Sequence, residues 1–184
     1  MRFVPIETLH TERLTLRKIR REDVSDYYHR LGTSEAVTRG MLWDPHTDIS
    51  QSVASVEKAL RRYAEGGCYR WAIALPEDDR IIGVMEMLRF DETDNSCSFA
   101  YMLGQLWWGK GYGSEALRAA MDFVFTKIGV EVIRADHFTT NPASGAAMRK
   151  AGMTFVKTLP QQYEKHGKKI DADLYQITKA EFYN

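Results

Sequence analysis

The sequence predicts an α/β layered fold, and three observations carry that prediction. Segments of period two and of helical period alternate in the order strand, two helices, three strands, helix, strand, helix and two strands. A stripe of Leu117, Ala120, Met121, Val124, Phe125 and Ile128 has the spacing of a helix laid on a sheet, with Arg118, Asp122 and Thr126 opposite. Finally, the run Trp108-Gly109-Lys110-Gly111-Tyr112-Gly113 joins an alternating strand to that helix, where a tight strand-to-helix turn is needed.

Taken in order, residues 13–19 alternate as a strand, and 22–31 read as a short helix with Val24, Tyr27, Tyr28 and Leu31 at helical spacing. A loop at 40–45 leads to a second helix over about 49–65. Asp48 and Gln51 stand at capping-box spacing before it, and Gly66-Gly67 end it. Strands at 69–75 and 80–90 are parted by Pro76-Glu77-Asp78-Asp79, and a turn at 91–95 feeds a strand at 96–103. Beyond the main helix come a strand at 132–137, a short helix from Pro142, and strands near 154–159 and 171–177. The basic run Lys165-His166-Gly167-Lys168-Lys169 reads as a solvated hairpin turn. No linker, repeat or low-complexity run divides the chain, so one domain over 1–184 is expected.

Bulk properties exclude several classes. Lys+Arg 25 balance Asp+Glu 25, so there is no basic excess to hold nucleic acid by its phosphates. No apolar run is long enough to span a bilayer, and Met1-Arg2-Phe3-Val4-Pro5 lacks the apolar core of a signal peptide. Cys68 and Cys97 have no metal-ligand spacing and suit buried thiols in a reducing compartment. A cytoplasmic protein without a metal or membrane partner is expected. The oligomeric state stays open.

The glycine turn carries the chemistry. Glycines let a ligand approach backbone amides without meeting a Cβ, and the following helix offers unpaired amides and a positive dipole end. An anionic phosphate fits such a turn. Residues 104–110 match a Walker loop up to the lysine, but Gly111 stands where a Ser or Thr must hold magnesium. The dinucleotide fingerprint needs a glycine at Ser114. Neither nucleotide reading survives.

The pattern Trp108-x-x-Gly111-x-Gly113 resembles the pyrophosphate loop of the GCN-related N-acetyltransferases, and the tryptophan is similar to the branch that includes the Rim-type ribosomal-protein N-terminal acetyltransferases. Further segments resemble that branch in family order: Thr11-Glu12-Arg13-Leu14-Thr15-Leu16-Arg17, Pro45-His46-Thr47, Asn141-Pro142-Ala143-Ser144 and Lys150-Ala151-Gly152-Met153. The resemblance implies a mixed, mostly antiparallel sheet of about seven strands with about four helices, splayed where coenzyme A lies.

By that resemblance, acetyl-CoA is the cofactor, leaving as coenzyme A. The backbone of Trp108, Gly109, Lys110, Gly111, Tyr112, Gly113 and Ser114 grips its pyrophosphate, and Met102 and Leu103 pair with the pantetheine arm like an added strand. As a plain side chain, Trp108 reads as packing. Asn141 precedes Pro142, which alone would make it a helix cap; by resemblance it also contacts the cofactor. Many family members place a proton-donating tyrosine seven residues later, but here that position is Met148, so Ser144 becomes the candidate donor to the leaving thiolate. Relatives often carry a basic glutamate near position 98, which here is Ser98. Glu86 is the candidate substitute, or else a salt-bridged glutamate of the strand. His137 reads as structural.

The acceptor expected is a primary amine. An α-amino group near pKa 8 is roughly ten per cent neutral at pH 7, far more than a lysine, so a protein N-terminus needs the least help. Tyr27, Met41 and Trp43, with Tyr28, resemble the lip lining the amine approach in this branch, or else they pack the core. A small-amine acetyltransferase for antibiotics or polyamines and a non-catalytic acetyl-CoA-binding module are the rival readings.

Overall fold

The computed structural model describes residues 4–184; Met1-Arg2-Phe3, part of the segment read for a leader, lie outside them. Eight strands form one open sheet: β1 (Leu9–His10), β2 (Thr15–Lys18), β3 (Tyr69–Ala74), β4 (Ile81–Asp91), β5 (Ser96–Leu103), β6 (Val132–Phe138), β7 (Thr154–Lys165) and β8 (Lys168–Thr178). Their order is β1-β2-β3-β4-β5-β6-β8-β7, antiparallel throughout except between β5 and β6, which run parallel. The mixed, mostly antiparallel sheet predicted is therefore present, with the two-residue β1 added to the expected seven strands.

Two apolar cores lie on opposite faces of the sheet. One contains Trp71, Met85, Phe99 and Ala135 beneath the stripe of α4 (Tyr112–Phe123) and its π-helical continuation Val124–Ile128. The other contains Ala72, Val84 and Met102 and is covered by the helices at the start of the chain. Those are α1 (Val24–Asp26), α2 (Glu35–Thr38) and α3 (Ile49–Glu65); α5 (Pro142–Lys150) and α6 (Lys179–Tyr183) follow later.

Local departures have local causes. The helix read at 22–31 is a composite: a 3-10 turn at Arg21–Asp23, α1, and a π-helical stretch Tyr27–Gly32 in which the Thr33 N–H bonds the Tyr28 carbonyl. Tyr27 and Leu31, four residues apart, are both buried by it. Asp48 and Gln51 close the capping box of α3 as expected, and Gly66 leaves that helix at φ +86°. The final hairpin is longer than the alternation suggested. Its edge strand β7 continues through a bulge at which Gln161 takes φ +51° and gives its N–H to Asp171 Oδ1 at 2.7 Å.

The hairpin tip is not simply solvated. Lys165 Nζ donates to the carbonyls of Thr38, Met41 and Trp43 at 3.0, 3.0 and 3.1 Å, and His166 pairs with Asp44 at 2.8 Å. Residues far apart in sequence are thus fastened into one wall beside the open end of β5 and β6. No helix among the described residues is long and apolar enough to cross a membrane.

Candidate active site

Pairing between β5 and β6 runs only from Ser96 and Val132 to Phe99 and Ala135. Beyond that point the strands part while β5 stays paired to β4 as far as Leu103 and Gly83. The Gly104 N–H bonds the Ile82 carbonyl, so by antiparallel alternation Met102 spends its backbone groups on Val84. Tyr101 and Leu103 turn theirs into the opening. Of the pair expected to meet a pantetheine arm, the backbone of Leu103 faces the gap and that of Met102 does not, because register sets the parity. The Leu103 carbonyl is itself taken by the Trp108 indole N–H at 2.8 Å, which closes the end of the gap.

At that end the chain turns into α4. Gly109 and Gly111 take φ +72° and +85°, conformations that a side chain would strain. A Cβ on Gly111 would lie 3.3 Å from both Arg13 Nη2 and Lys150 Nζ, so two cations flank the helix N-terminus. Arg13 is fixed there by Glu115 and by the Lys110 carbonyl, and its guanidinium lies 4.7 Å from the Tyr112 ring centre. The Glu115 carboxylate, although burial opposes it, is held below its usual range by Thr11 and Arg13. Ser114 Oγ returns to the Gly111 carbonyl at 2.9 Å, bracing the first turn. Free amides, a dipole end and two cations suit a diphosphate.

On the α4 face of the gap, Tyr101 Oη lies 3.0 Å from Ser144 Oγ and donates to the Ser144 carbonyl at 3.0 Å. Burial pushes the Tyr101 phenol up, and the bond to Ser144 opposes that shift. Sequence reading missed Tyr101: alternation marked it as a strand residue but could not say that α5 would bring a hydroxyl to it. Asn141 begins α5 with Pro142 in its first turn, but its side chain makes no capping bond. Asn141 thus stands at the N-cap, its carbonyl accepting the Ser144 N–H at 3.1 Å, while its side-chain amide is free of the cap. Its Nδ2 would lie 2.9 Å from a Cβ on Gly40, so the amide sits between α5 and the 40–45 loop.

The opposite face holds the remaining candidates. Glu86 pairs with Ala100 and shares that face with Met102. Its carboxylate receives Arg62 Nη1 at 2.6 Å, with Arg70 Nε at 3.9 Å. Of the two readings of Glu86, the structure supplies the partners of the salt-bridged one. Tyr27 is corrected outright: it is 3 % exposed, and its hydroxyl meets Arg70 and Ser55, so it packs the core and lines no approach. Met41 and Trp43 are half-buried in the 40–45 loop and pack against the same core, with Trp43 against His46 at 4.9 Å. His137 is buried and bonds the Phe138 carbonyl through Nδ1, while its Nε2 is buried without a hydrogen-bond partner among the described residues. Asp136, one residue past the last β5–β6 pair, accepts the Tyr163 hydroxyl on both oxygens at 2.9 Å.

Neither cysteine is poised as a nucleophile. Both are buried free thiols, and burial raises Cys68 and pushes Cys97 up to about 12. Among the described residues no group of His, Cys, Asp or Glu is arranged to hold a metal ion.

The sequence pattern of the acetyltransferase (GNAT) domain matches residues 13–154. The chain is 33% identical over 179 residues to the uncharacterised N-acetyltransferase p20 of Bacillus licheniformis, covering 96% of this chain and 99% of that one. It is 28% identical over 160 residues to the ribosomal protein uS5-alanine N-acetyltransferase of Escherichia coli K12, covering 81% and 79%. In three dimensions it matches spermidine N-acetyltransferase from Vibrio cholerae in complex with CoA and spermine, with TM-score 0.79, 18% identity and 95% and 100% coverage. The glycine turn, the parted strands and the Tyr101–Ser144 contact all fall inside the matched span, and the chain belongs to the GNAT family of N-acetyltransferases.

Proposed function

We propose that the chain is a single cytoplasmic acetyltransferase domain that moves the acetyl group of acetyl-CoA to a protein N-terminal α-amino group. The observation that carries the reading is the gap between β5 and β6, with the cation-flanked turn at Gly111 at its end. When bound, the cofactor supplies a thioester-activated acetyl group. Amides from Gly109 to Ser114, with Lys150 and Arg13, hold the diphosphate. The free N–H groups of Tyr101 and Leu103 orient the peptide-like arm. Ser144, backed by Tyr101, gives a proton to the departing sulfur.

Acceptor choice rests on the other face. An open cavity of about 490 Å³ between the hairpin tip and residues 138–140 is lined by Arg39, Lys165, Lys168 and Lys169, with Asp171. This predominantly basic rim repels a polycation such as spermidine and accepts a peptide backbone and its acidic side chains. The uS5-alanine acetyltransferase relative supports the same choice.

Acetyl-CoA should stabilise the protein without magnesium, by about 2.7 kcal/mol at a hundredfold excess over its Kd, and magnesium-ATP should not. Gly111→Val should abolish that melting shift, and Lys150→Met should weaken it while sparing the backbone. Thiol release with N-terminal peptides, spermidine and small amines then tests the acceptor. Spermidine as the best acceptor, or binding without turnover on any amine, would replace this reading by the corresponding rival.

A further inference from the structure

A carboxylate on an inner strand of a sheet needs a reason, and Asp136 has none in the packing. Ala135 before it lies in the core under α4, so alternation sends the Asp136 side chain to the opposite face, toward α1–α3. Phe99, the partner of Ala135, lies in the same core, so Ala100 emerges beside Asp136 on the acceptor side of the gap. Asp136 is half-buried, yet its carboxylate is met by one phenol, Tyr163 of β7, rather than a guanidinium. Arg89 of β4 and His137 of its own strand are the other charged or titratable groups bearing on it, and burial outweighs all three to hold its carboxyl above the usual aspartate range. Glu86, by contrast, is neutralised by Arg62 and Arg70.

We propose that Asp136 is the general base for the attacking amine and that Tyr163 is its positioning residue. The inference rests on the amine-acetylating function proposed above. As the amine nitrogen bonds to the acetyl carbon, one N–H proton passes to an Asp136 oxygen. The carbon–sulfur bond breaks with its electron pair on sulfur, and the Tyr101–Ser144 pair supplies the proton there. Asp136 then releases its proton to water, and the hydroxyl pair regains one from water. Base and acid thus stand on opposite faces of the gap, where a bound acetyl group would lie within their reach. A carboxylate whose affinity for protons is raised is also the more effective base.

Asp136→Asn keeps the shape and still accepts from Tyr163, but it loses the basic oxygen. For a peptide amine, kcat/KM at pH 7 should fall about a hundred- to a thousandfold, and the loss should shrink as pH approaches the pKa of the amine. The acetyl-CoA melting shift should persist. In the folded chain this carboxyl binds its proton more tightly than in the unfolded one. Stability contributed by that proton is therefore lost as pH rises through the window between the two values. At pH 7 the neutral Asn variant escapes that loss, and its melting temperature should not drop.

Removing the phenol should raise the affinity of Asp136 for its proton. In Tyr163→Phe the acid limb of kcat/KM should move to higher pH. In the ligand-free protein the Asp136 carboxyl carbon, followed by NMR, should titrate higher than in the wild type. The carboxyl-carbon titration of wild type and Tyr163→Phe stands even if Asp136→Asn fails to fold. Unchanged kcat/KM in Asp136→Asn, a lower melting temperature with an unaltered pH profile, or an Asp136 that titrates in the ordinary range would overturn the assignment. A wild-type protein releasing no thiol with any amine would remove the proposed function itself. A wild type that turns over, matched by Asp136→Asn, would remove only the base.

Discussion

Ser144 and Tyr101 come from α5 and β5, 43 residues apart, and share one 3.0 Å contact beside the gap. A hydroxyl beside a buried phenol can deliver a proton and regain one from it once the phenol O–H turns from the Ser144 carbonyl to Oγ. Ser144→Ala and Tyr101→Phe should each lower turnover by roughly tenfold to a thousandfold and leave acetyl-CoA affinity nearly intact. If, as proposed, the two hydroxyls act as a unit, the double variant should lose little more than the worse single one. Steady-state kinetics together with the acetyl-CoA melting shift check this, and fully additive losses would separate the two roles. The sequence exposed half of the pair. Ser144 is legible through the family resemblance, as the hydroxyl left where Met148 replaces a tyrosine, whereas Tyr101 shows only strand alternation, which reports a face and never a partner. At Asn141 the neighbour Pro142 signals the cap position correctly, yet the signal says nothing of the side-chain amide, which makes no capping bond.

Among the elements, β2 does more than complete the sheet. Its Arg17 is 5 % exposed and makes a bidentate pair with Asp23, itself 6 % exposed, at 2.8 and 2.9 Å. Asp79 accepts from the same guanidinium at 2.6 Å, tying β2 to the first helical segment and to the β3–β4 turn. Arg17→Met would strand the Asp23 charge, and roughly 3–5 kcal/mol of stability should be lost. Denaturant unfolding measures it, and the double variant Arg17→Met/Asp23→Leu should recover most of the loss. Local signals served well for single elements: Asp48 and Gln51 gave the α3 start, and the stripe from Leu117 gave α4. They failed where the winding changes, at Tyr27–Gly32, because spacing rules assume one pitch, and at Gln161, where a bulge breaks the alternation.

Across the whole molecule, Lys165 joins the end of the chain to the 38–43 loop through three carbonyls. No pattern along the sequence could reveal it, since the partners stand 122 to 127 residues away. Lys165→Met should leave those carbonyls unpaired, at about 1.5–3 kcal/mol, and loosen the lip formed by Met41 and Trp43. The expected result is a higher KM for the amine with the acetyl-CoA melting shift preserved. An unchanged amine KM would remove Met41 and Trp43 from the proposed amine approach.

The sheet separates two cores, and that separation has an evolutionary consequence. On the reading proposed here, the α4 face grips the donor and the α1–α3 face, with the hairpin, selects the acceptor. Mutational drift on the second face can then explore new acceptors while the donor grip, built from the other side's packing, is inherited unchanged. A fold divided this way can diversify by changing what it modifies without relearning how.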